Sequence, residues 1–260
     1  MSKKIVAFIP AHLASVRFPR KVLFEIEGLP MIEHVRRRAL LSGVFSDVIV
    51  ATCDDEVEEL IEKNGGKVIR TANTHNNGTS RVAEAVQKVD CSHVILLQAD
   101  EPLLLPKDLI SFSNVIKSDD SGTVSWNATG PITDKEELDR HSFVKCFVNL
   151  ENLILFCYRR SPSYGKFKET VKYMRKILGI IGYTKDFLQK ISKMPPAQFE
   201  TNEFIEQMRI IENGYTLRSV PISKSLPSVN EPQEVEIVLD YIRNDKEQVY
   251  FLDQVLKYNK

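Results

Sequence analysis

The chain has 260 residues, 43% hydrophobic and 27% charged, with 35 Lys and Arg balancing 35 Asp and Glu. That length holds one large or two small domains with a substantial core, and the mixture is that of a globular protein. Zero net charge argues against a general nucleic-acid binder but leaves room for a local anion site. The sequence shows neither a charged-then-apolar leader nor an apolar span of ~18 residues, so a cytoplasmic protein without membrane insertion is expected.

KIVAFIP is an apolar strand ending at Pro10, where the missing backbone donor discourages further pairing. After a loop rich in His, Ser and Arg, LPMIEHVRRRALLSG places Met31, Val35 and Ala39 on one helical face, with Arg36, Arg37 and Arg38 around it, and stops at Gly43. DVIVATC is the next strand. DDEVEELIEKNG is a helix with early acids that suit its positive end and an apolar stripe of Val57, Leu60 and Ile61. KVIRT is a short strand, HNNGTSRVAEAVQKV a polar loop entering a helix, and HVILLQADEP a buried strand with polar residues at its carboxyl end. Alternating strands and helices predict a parallel α/β sheet, in which ligand sites gather beyond the carboxyl ends of the strands. Those ends carry AHLASVRFPRK, TCDD and QADEP.

The second half is less regular. VSWNATG, FVKCFVNL and NLILFCYRR read as strands, the latter two joined by a turn at ENL, and RRSPSYGKFKET reads as a loop. KILGIIGYTKDFLQKI passes from strand to helix, PPAQFETNEFIEQMRIIENG contains a helix closed by Gly214, YTLRSVPIS is a strand, and EPQEVEIVLDYIRNDKEQVYFLDQVLKY is helical. With no repeat or low-complexity linker, residues 1–260 read as a single domain, with a mixed-strand extension at approximately 123–185. Cys53, Cys91, Cys146 and Cys157 are too widely spaced for a compact metal site and read as buried thiols. Trp126 reads as packing, Tyr158, Tyr164 and Tyr183 as side chains that either line a pocket or, more often, pack, and His34 and His93 as helix-surface or core-edge residues.

The first loop puts His12, Ser15, Arg17, Arg20 and Lys21 within ten residues. Arg presents a planar fork to phosphate, Lys a mobile charge, and main-chain donors of a loop entering a helix complete such a site. QADEP supplies the acidic counterpart: Asp100 emerges at a strand terminus, able to hold Mg²⁺ while the basic loop contacts a triphosphate. Neither GxxxxGK nor GxGxxG is present at the first strand, which disfavours a P-loop ATPase and an NAD-dependent enzyme.

Taken together, IPAHLASVRFPRKVL, GLPMIEHV, DVIVATCDDEV, GGKVIRT, HNNGTSR, QADEP, LGIIGY, FIEQMRIIENGY and VNEP resemble, in order, the motifs of the 3-deoxy-manno-octulosonate (Kdo) cytidylyltransferases, the CMP-Kdo synthetases. The resemblance covers nearly the whole chain. It implies a nucleotide-diphosphosugar-transferase-like α/β fold, a Rossmann-like mixed sheet with a dimerisation extension. It also implies a Mg²⁺-dependent homodimer that joins CMP from CTP to Kdo, with release of pyrophosphate, for lipopolysaccharide biosynthesis. Carried over by motif, Ala11, Ser15, Arg17, Arg20, Lys21, Thr79, Arg81 and Gln98 would surround CTP. Lys21, Asp100 and Arg17 would act on the reacting phosphates. Arg159, Glu206 and Gln207 would face the acceptor sugar, and Asp100 and Asn230 would hold the metal.

Several positions depart from the family pattern. Arg20 replaces the glycine of PGK, Asn230 stands where an aspartate is usual, and Ile177 stands where a sugar-contacting histidine is expected. Two alternatives follow: a related cytidylyltransferase for another sugar acid or a phosphonate, or a catalytically weak nucleotide-binding homodimer.

Overall fold

A computed structural model describes residues 3–258, and they divide into two compact units. The first comprises the chain up to Ser113 together with the chain from Leu226 onward; the second runs from Asn114 to Ser225.

In the first unit, β1 (Ile5–Pro10) is buried along its whole length. A small hairpin of β2 (Glu25–Ile26) and β3 (Leu29–Pro30) leads into α1 (Met31–Leu41). There follow β4 (Asp47–Thr52), α2 (Asp55–Lys63), β5 (Lys67–Arg70), α3 (Gly78–Ala85) and β6 (His93–Leu97). β1 lies between β4 and β6, parallel to both, and β5 adds in parallel outside β4. The chain therefore moves outward from β1 to β5 and then returns to the other side of β1. That reversal opens a crevice past the ends of β1 and β6, the position where open α/β sheets bind ligands.

The patterning above places no element between Pro102 and Thr123, but the structure has α4 (Pro106–Ser118) there. Pro106 suits the first helical position, and Leu109, Phe112 and Ile116 are fully buried at helical spacing. In the second unit, β7 (Ser125–Gly130), β8 (Lys145–Val148) and β9 (Ile154–Tyr158) are followed by α5 (Phe167–Thr170), within the segment read as a loop. β10 (Met174–Thr184), α6 (Lys185–Ile191), α7 (Gln198–Glu203), α8 (Met208–Glu212) and β11 (Arg218–Pro221) complete it. β7 pairs antiparallel with β10 and parallel with β11; β8 pairs antiparallel with β10 and β9. The expected extension at 123–185 falls inside this unit, which runs on to Ser225 because β11 pairs with β7. The single helix expected between Pro196 and Gly214 is two, α7 and α8, broken by Phe204 in the left-handed region at φ 54°.

The chain ends in α9 (Glu234–Asn244) and α10 (Lys246–Leu256), which belong to the first unit. Val229, Val235, Val238 and Ile242 pack with Ile26, Met31 and Leu103 in one buried cluster. Gln248 Nε2 also donates to the Leu103 carbonyl at 2.8 Å.

Arg36, Arg37 and Arg38, around the apolar face of α1, are all buried, as is Glu33. The Glu33 carboxylate accepts from Arg36 Nη2 (2.9 Å) and Arg37 Nε (2.8 Å), and Arg37 Nη1 reaches the Val255 carbonyl at 3.0 Å. Arg38 donates to the Leu104 carbonyl at 3.2 Å, and burial pulls its pKa down to about 10. His34, expected near a surface, is fully buried, with Nε2 2.7 Å from the Ile26 carbonyl. Cys91, Cys146 and Cys157 are buried and Cys53 is partly exposed, none of the four in a disulfide. No helix among the described residues is long and apolar enough to cross a membrane.

Candidate active site

At the crevice of the first unit lies a cavity of about 210 Å³. Three segments form its walls. The first follows β1, where the Ala11 amide donates to the Ala51 carbonyl at 2.9 Å and prolongs the strand by one residue. The Leu13 amide is then held by Asp54 Oδ2 at 2.9 Å, and the Arg20 amide closes the loop onto the Leu13 carbonyl at 2.9 Å. A single 3₁₀ turn, Lys21–Leu23, buries Val22 and leaves Lys21 on the cavity wall.

The second segment is the turn into α3. Asn77 caps the helix, its side-chain oxygen accepting from the Ser80 amide at 2.8 Å. The Gly78 and Thr79 amides at the start of the helix have no intrahelical acceptor, and the positive end of the helix faces the cavity through Asn77 and Gly78. Gly78 is required by the close approach to β1: a Cβ there would lie 2.8 Å from Pro10 Cγ. Arg81 is buried and braced on Thr71 Oγ1 at 2.7 Å. His75 is held by Glu84 through Nε2 at 2.5 Å, and that bond lowers the Glu84 pKa.

The third segment continues β6 through Gln98 and Ala99 to Asp100. Lys21 Nζ makes a short ion pair with the Asp100 carboxylate and also lies 3.4 Å from the Val229 carbonyl. The Val229 amide in turn donates to the Asp100 carbonyl at 2.9 Å. Residues separated by more than a hundred positions therefore meet at one point, and Asn230 follows directly.

Six of the nucleotide-site residues read from the sequence line this cavity: Ala11, Ser15, Lys21, Arg81, Gln98 and Asp100. Arg17, Arg20 and Thr79 are not in its lining. Arg17 lies 3.8 Å from Glu231, with both side chains more than half exposed. Arg20 forms a two-pronged ion pair with Glu56 on the surface, and its backbone is left-handed at φ 61°, the geometry for which glycine is the cheaper residue. Thr79 is buried, and its hydroxyl has no partner among the described residues. His12, His75, Asn77 and Gly78 line the cavity beside the expected set.

The donor set can be tested against a divalent cation. Asp100 offers a carboxylate. The Asn230 amide nitrogen donates to Ser228 Oγ at 3.0 Å, which leaves its oxygen as the free acceptor. Among the described residues no group of three or more His, Cys, Asp or Glu side chains forms a self-sufficient metal centre. One carboxylate and one amide oxygen suit Mg²⁺, a hard ion that takes much of its shell from water and substrate phosphates.

The acceptor residues read from the sequence lie in the second unit. Arg159 is committed to three backbone carbonyls, those of Glu203 (2.7 Å), His141 (2.8 Å) and Phe204 (2.9 Å). It pins the left-handed break just before Glu206 and Gln207. Gln207 Nε2 donates to Asn127 Oδ1 at 3.1 Å. Ile177 is partly buried on β10, directly opposite Thr129 of β7.

The chain matches the cytidylyltransferase family model over residues 6–225. It is 34% identical to the 3-deoxy-manno-octulosonate cytidylyltransferase of Escherichia coli over 238 residues, 92% of this chain and 95% of that protein. It is also 34% identical to the enzyme of the same name from Geobacter metallireducens over 251 residues, 91% of this chain and 97% of that one. The solved structure of CMP:2-keto-3-deoxy-manno-octonic acid synthetase complexed with CTP superposes with a TM-score of 0.86 at 34% identity, covering 93% of this chain and 99% of the other. The inositol-1-phosphate CTP transferase of T. maritima, at 13% identity and a TM-score of 0.68, shares the fold. With motifs, cavity and relatives in agreement along nearly its whole length, the chain belongs to the 3-deoxy-manno-octulosonate cytidylyltransferase family, nucleotidyltransferases that use CTP and a sugar acid.

Proposed function

We propose that the protein transfers CMP from CTP to Kdo or a closely related sugar acid and releases pyrophosphate. The observation that supports this most directly is the convergence of Lys21, Asp100 and the Val229–Asn230 segment at the cavity below the Gly78 turn. An oxygen of the acceptor attacks the α-phosphorus of CTP, and the bond from that phosphorus to the β-phosphate oxygen breaks in line. Lys21 and the free amides of the α3 turn meet the negative charge that shifts onto the phosphates. Asp100 and Asn230 would hold Mg²⁺, which supplies charge neutralisation at the triphosphate when bound. Arg81 and Gln98 line the nucleotide cavity. In the second unit, Gln207 and Glu206 contact the acceptor while Arg159 holds the segment that carries them.

Arg17 and Arg20, ion-paired at the surface, would reach phosphate only by exchanging Glu231 and Glu56 for it. The same reading carries a homodimer, a cytoplasmic location and a place in lipopolysaccharide biosynthesis, with residues 1–260 working as a single catalytic domain.

The test is pyrophosphate release with Kdo and each of the four ribonucleoside triphosphates, with and without Mg²⁺. Kdo-dependent release confined to CTP and lost without Mg²⁺ is the expected result. No release from a folded protein that still binds CTP would overturn the transfer reading in favour of a nucleotide-binding homodimer.

A further inference from the structure

Several cations withdrawn from solvent in the second unit are neutralised or caged. Lys176 pairs with Glu137 at 2.6 Å, Arg209 with Glu200, and Arg218 with Asp119 at 2.9 Å. Lys145 donates to three carbonyls, two of them those of Arg140 (2.8 Å) and Phe143 (2.9 Å). Arg175 differs. It is half-buried, and the single side-chain hydrogen bond it makes among the described residues runs from Nε to Thr129 Oγ1 at 3.0 Å. Burial lowers its pKa, and the neighbouring Cys146 thiol is the one group that opposes the shift; no carboxylate contributes. Guanidinium stays charged in proteins, so the site carries a positive fork with both Nη groups uncommitted.

The strand register places that fork. Arg175 and Ile177 are two residues apart on β10 and so share one face of the sheet. Ile177 lies opposite Thr129, the residue that Arg175 grips, and Asn127 is two residues along β7 on the same face. Asn127 is the residue that orients Gln207. The Asn127 amide nitrogen is spent on the Ala128 and Leu178 carbonyls, both at 2.9 Å, so its oxygen must face Gln207 Nε2. That arrangement leaves the Gln207 oxygen as a free acceptor. One sheet face thus offers a carboxylate-shaped cation and a hydroxyl acceptor, anchored about 7 Å apart along β7, with apolar Ile177 beside them. Arg159, by contrast, has its guanidinium tied to three carbonyls.

We propose that Arg175 is the residue that recognises the carboxylate of the acceptor, through a two-pronged pair from its Nη groups, beside Ile177 and Gln207. The inference rests on the functional reading above and assigns it a specificity-determining cation; Arg159 then acts as a positioning residue. A planar guanidinium facing a carboxylate is the geometry in which lysine is a poor substitute.

The test compares wild type with Arg175→Met and Arg175→Lys, using Kdo and its neutral carboxamide as acceptors and reading KM for each substrate, kcat and melting temperature. Arg175→Met is expected to raise KM for Kdo by about 10- to 100-fold, the loss of one charge-assisted pair, with KM for CTP and the melting temperature little changed. Arg175→Lys should recover part of that loss. The carboxamide should be a poor acceptor for wild type and no poorer for Arg175→Met. An unchanged KM for Kdo in Arg175→Met, or an equal penalty on Kdo and its carboxamide, would overturn the assignment while leaving the transferase reading intact. Failure of wild type itself to turn over any sugar acid would overturn the functional reading and this inference with it.

Discussion

Asp100 is held from two directions. Its carboxylate meets the Lys21 ammonium and its carbonyl receives the Val229 amide, so the side chain that would hold the cation is oriented before any ligand arrives. Pre-placed charge of this kind is where much of a phosphoryl-transfer enzyme's rate arises. Asp100→Asn and Lys21→Met are each expected to lower kcat about 10²-fold or more, with unfolding midpoints close to wild type; single-turnover assays beside urea melts would show it. Gly78 is a second sensitive point, because Pro10 leaves no room for a Cβ. Gly78→Ala should move the α3 turn off β1, cost about 1–3 kcal/mol and raise KM for CTP. Unchanged CTP affinity would mean that the turn tolerates displacement. At this scale the sequence is informative about the candidate nucleotide side, because Ala11, Gln98 and Asp100 sit just past the ends of apolar strands and Lys21 closes the loop after the first of them. Arg175 is hidden in it, because MRKILGI sets two cations side by side, and only the structure shows that Lys176 pairs with Glu137 while Arg175 faces no carboxylate.

Among the elements, α1 shows how much local patterning leaves open. Three consecutive arginines read as lying around its apolar face, and Glu33, one helical turn before Arg36 and Arg37, gathers both guanidinium groups and allows them to be buried. Their remaining partners, the Asn64 and Val255 carbonyls, are distant in sequence. The break between α7 and α8 has a similar cause: a left-handed Phe204 carries no local signal, and its carbonyl is held by Arg159. α4 went unread, although Pro106 and the spacing of Leu109, Phe112 and Ile116 were signals for it. The burial of α1 also has a pH consequence. Burial lowers the His34 pKa from 6.5 to about 4. An unfolded chain takes up a proton there below about pH 6.5, whereas the folded chain resists until about pH 4. Stability from this group is therefore present above pH 6.5 and lost as pH falls, on the order of 3 kcal/mol across the window. Urea midpoints measured from pH 7 to pH 4 should fall steeply for wild type and less for His34→Gln; parallel curves would refute the assignment.

Over the whole molecule, the first unit is discontinuous in sequence while the second is one stretch. The alternation of strands and helices made the parallel sheet legible. The return of the carboxyl-terminal helices to the amino-terminal sheet was not, because Val235, Val238 and Ile242 form an ordinary apolar stripe that could have packed on any neighbour. Their packing against Ile26, Met31 and Leu103 ties stability to the site, since the same segment delivers the Val229 amide to Asp100. Ile242→Ala is expected to cost about 2–5 kcal/mol and to speed hydrogen exchange at the Val229 amide, as read by urea unfolding and mass spectrometry. Loss of stability with full protection at Val229 would separate the two.

The same discontinuity sets an order of events during synthesis. β1 through β6 leave the ribosome early, but the segment that covers their apolar hairpin and contributes Val229 to the site emerges only after the entire second unit. At ~5–20 residues per second, the nascent sheet waits from about six to about twenty-six seconds with Ile26, Met31 and Leu103 uncovered. The chain is consequently most exposed to aggregation and to chaperones before residue 226 appears, and its nucleotide site is among the last features to be completed.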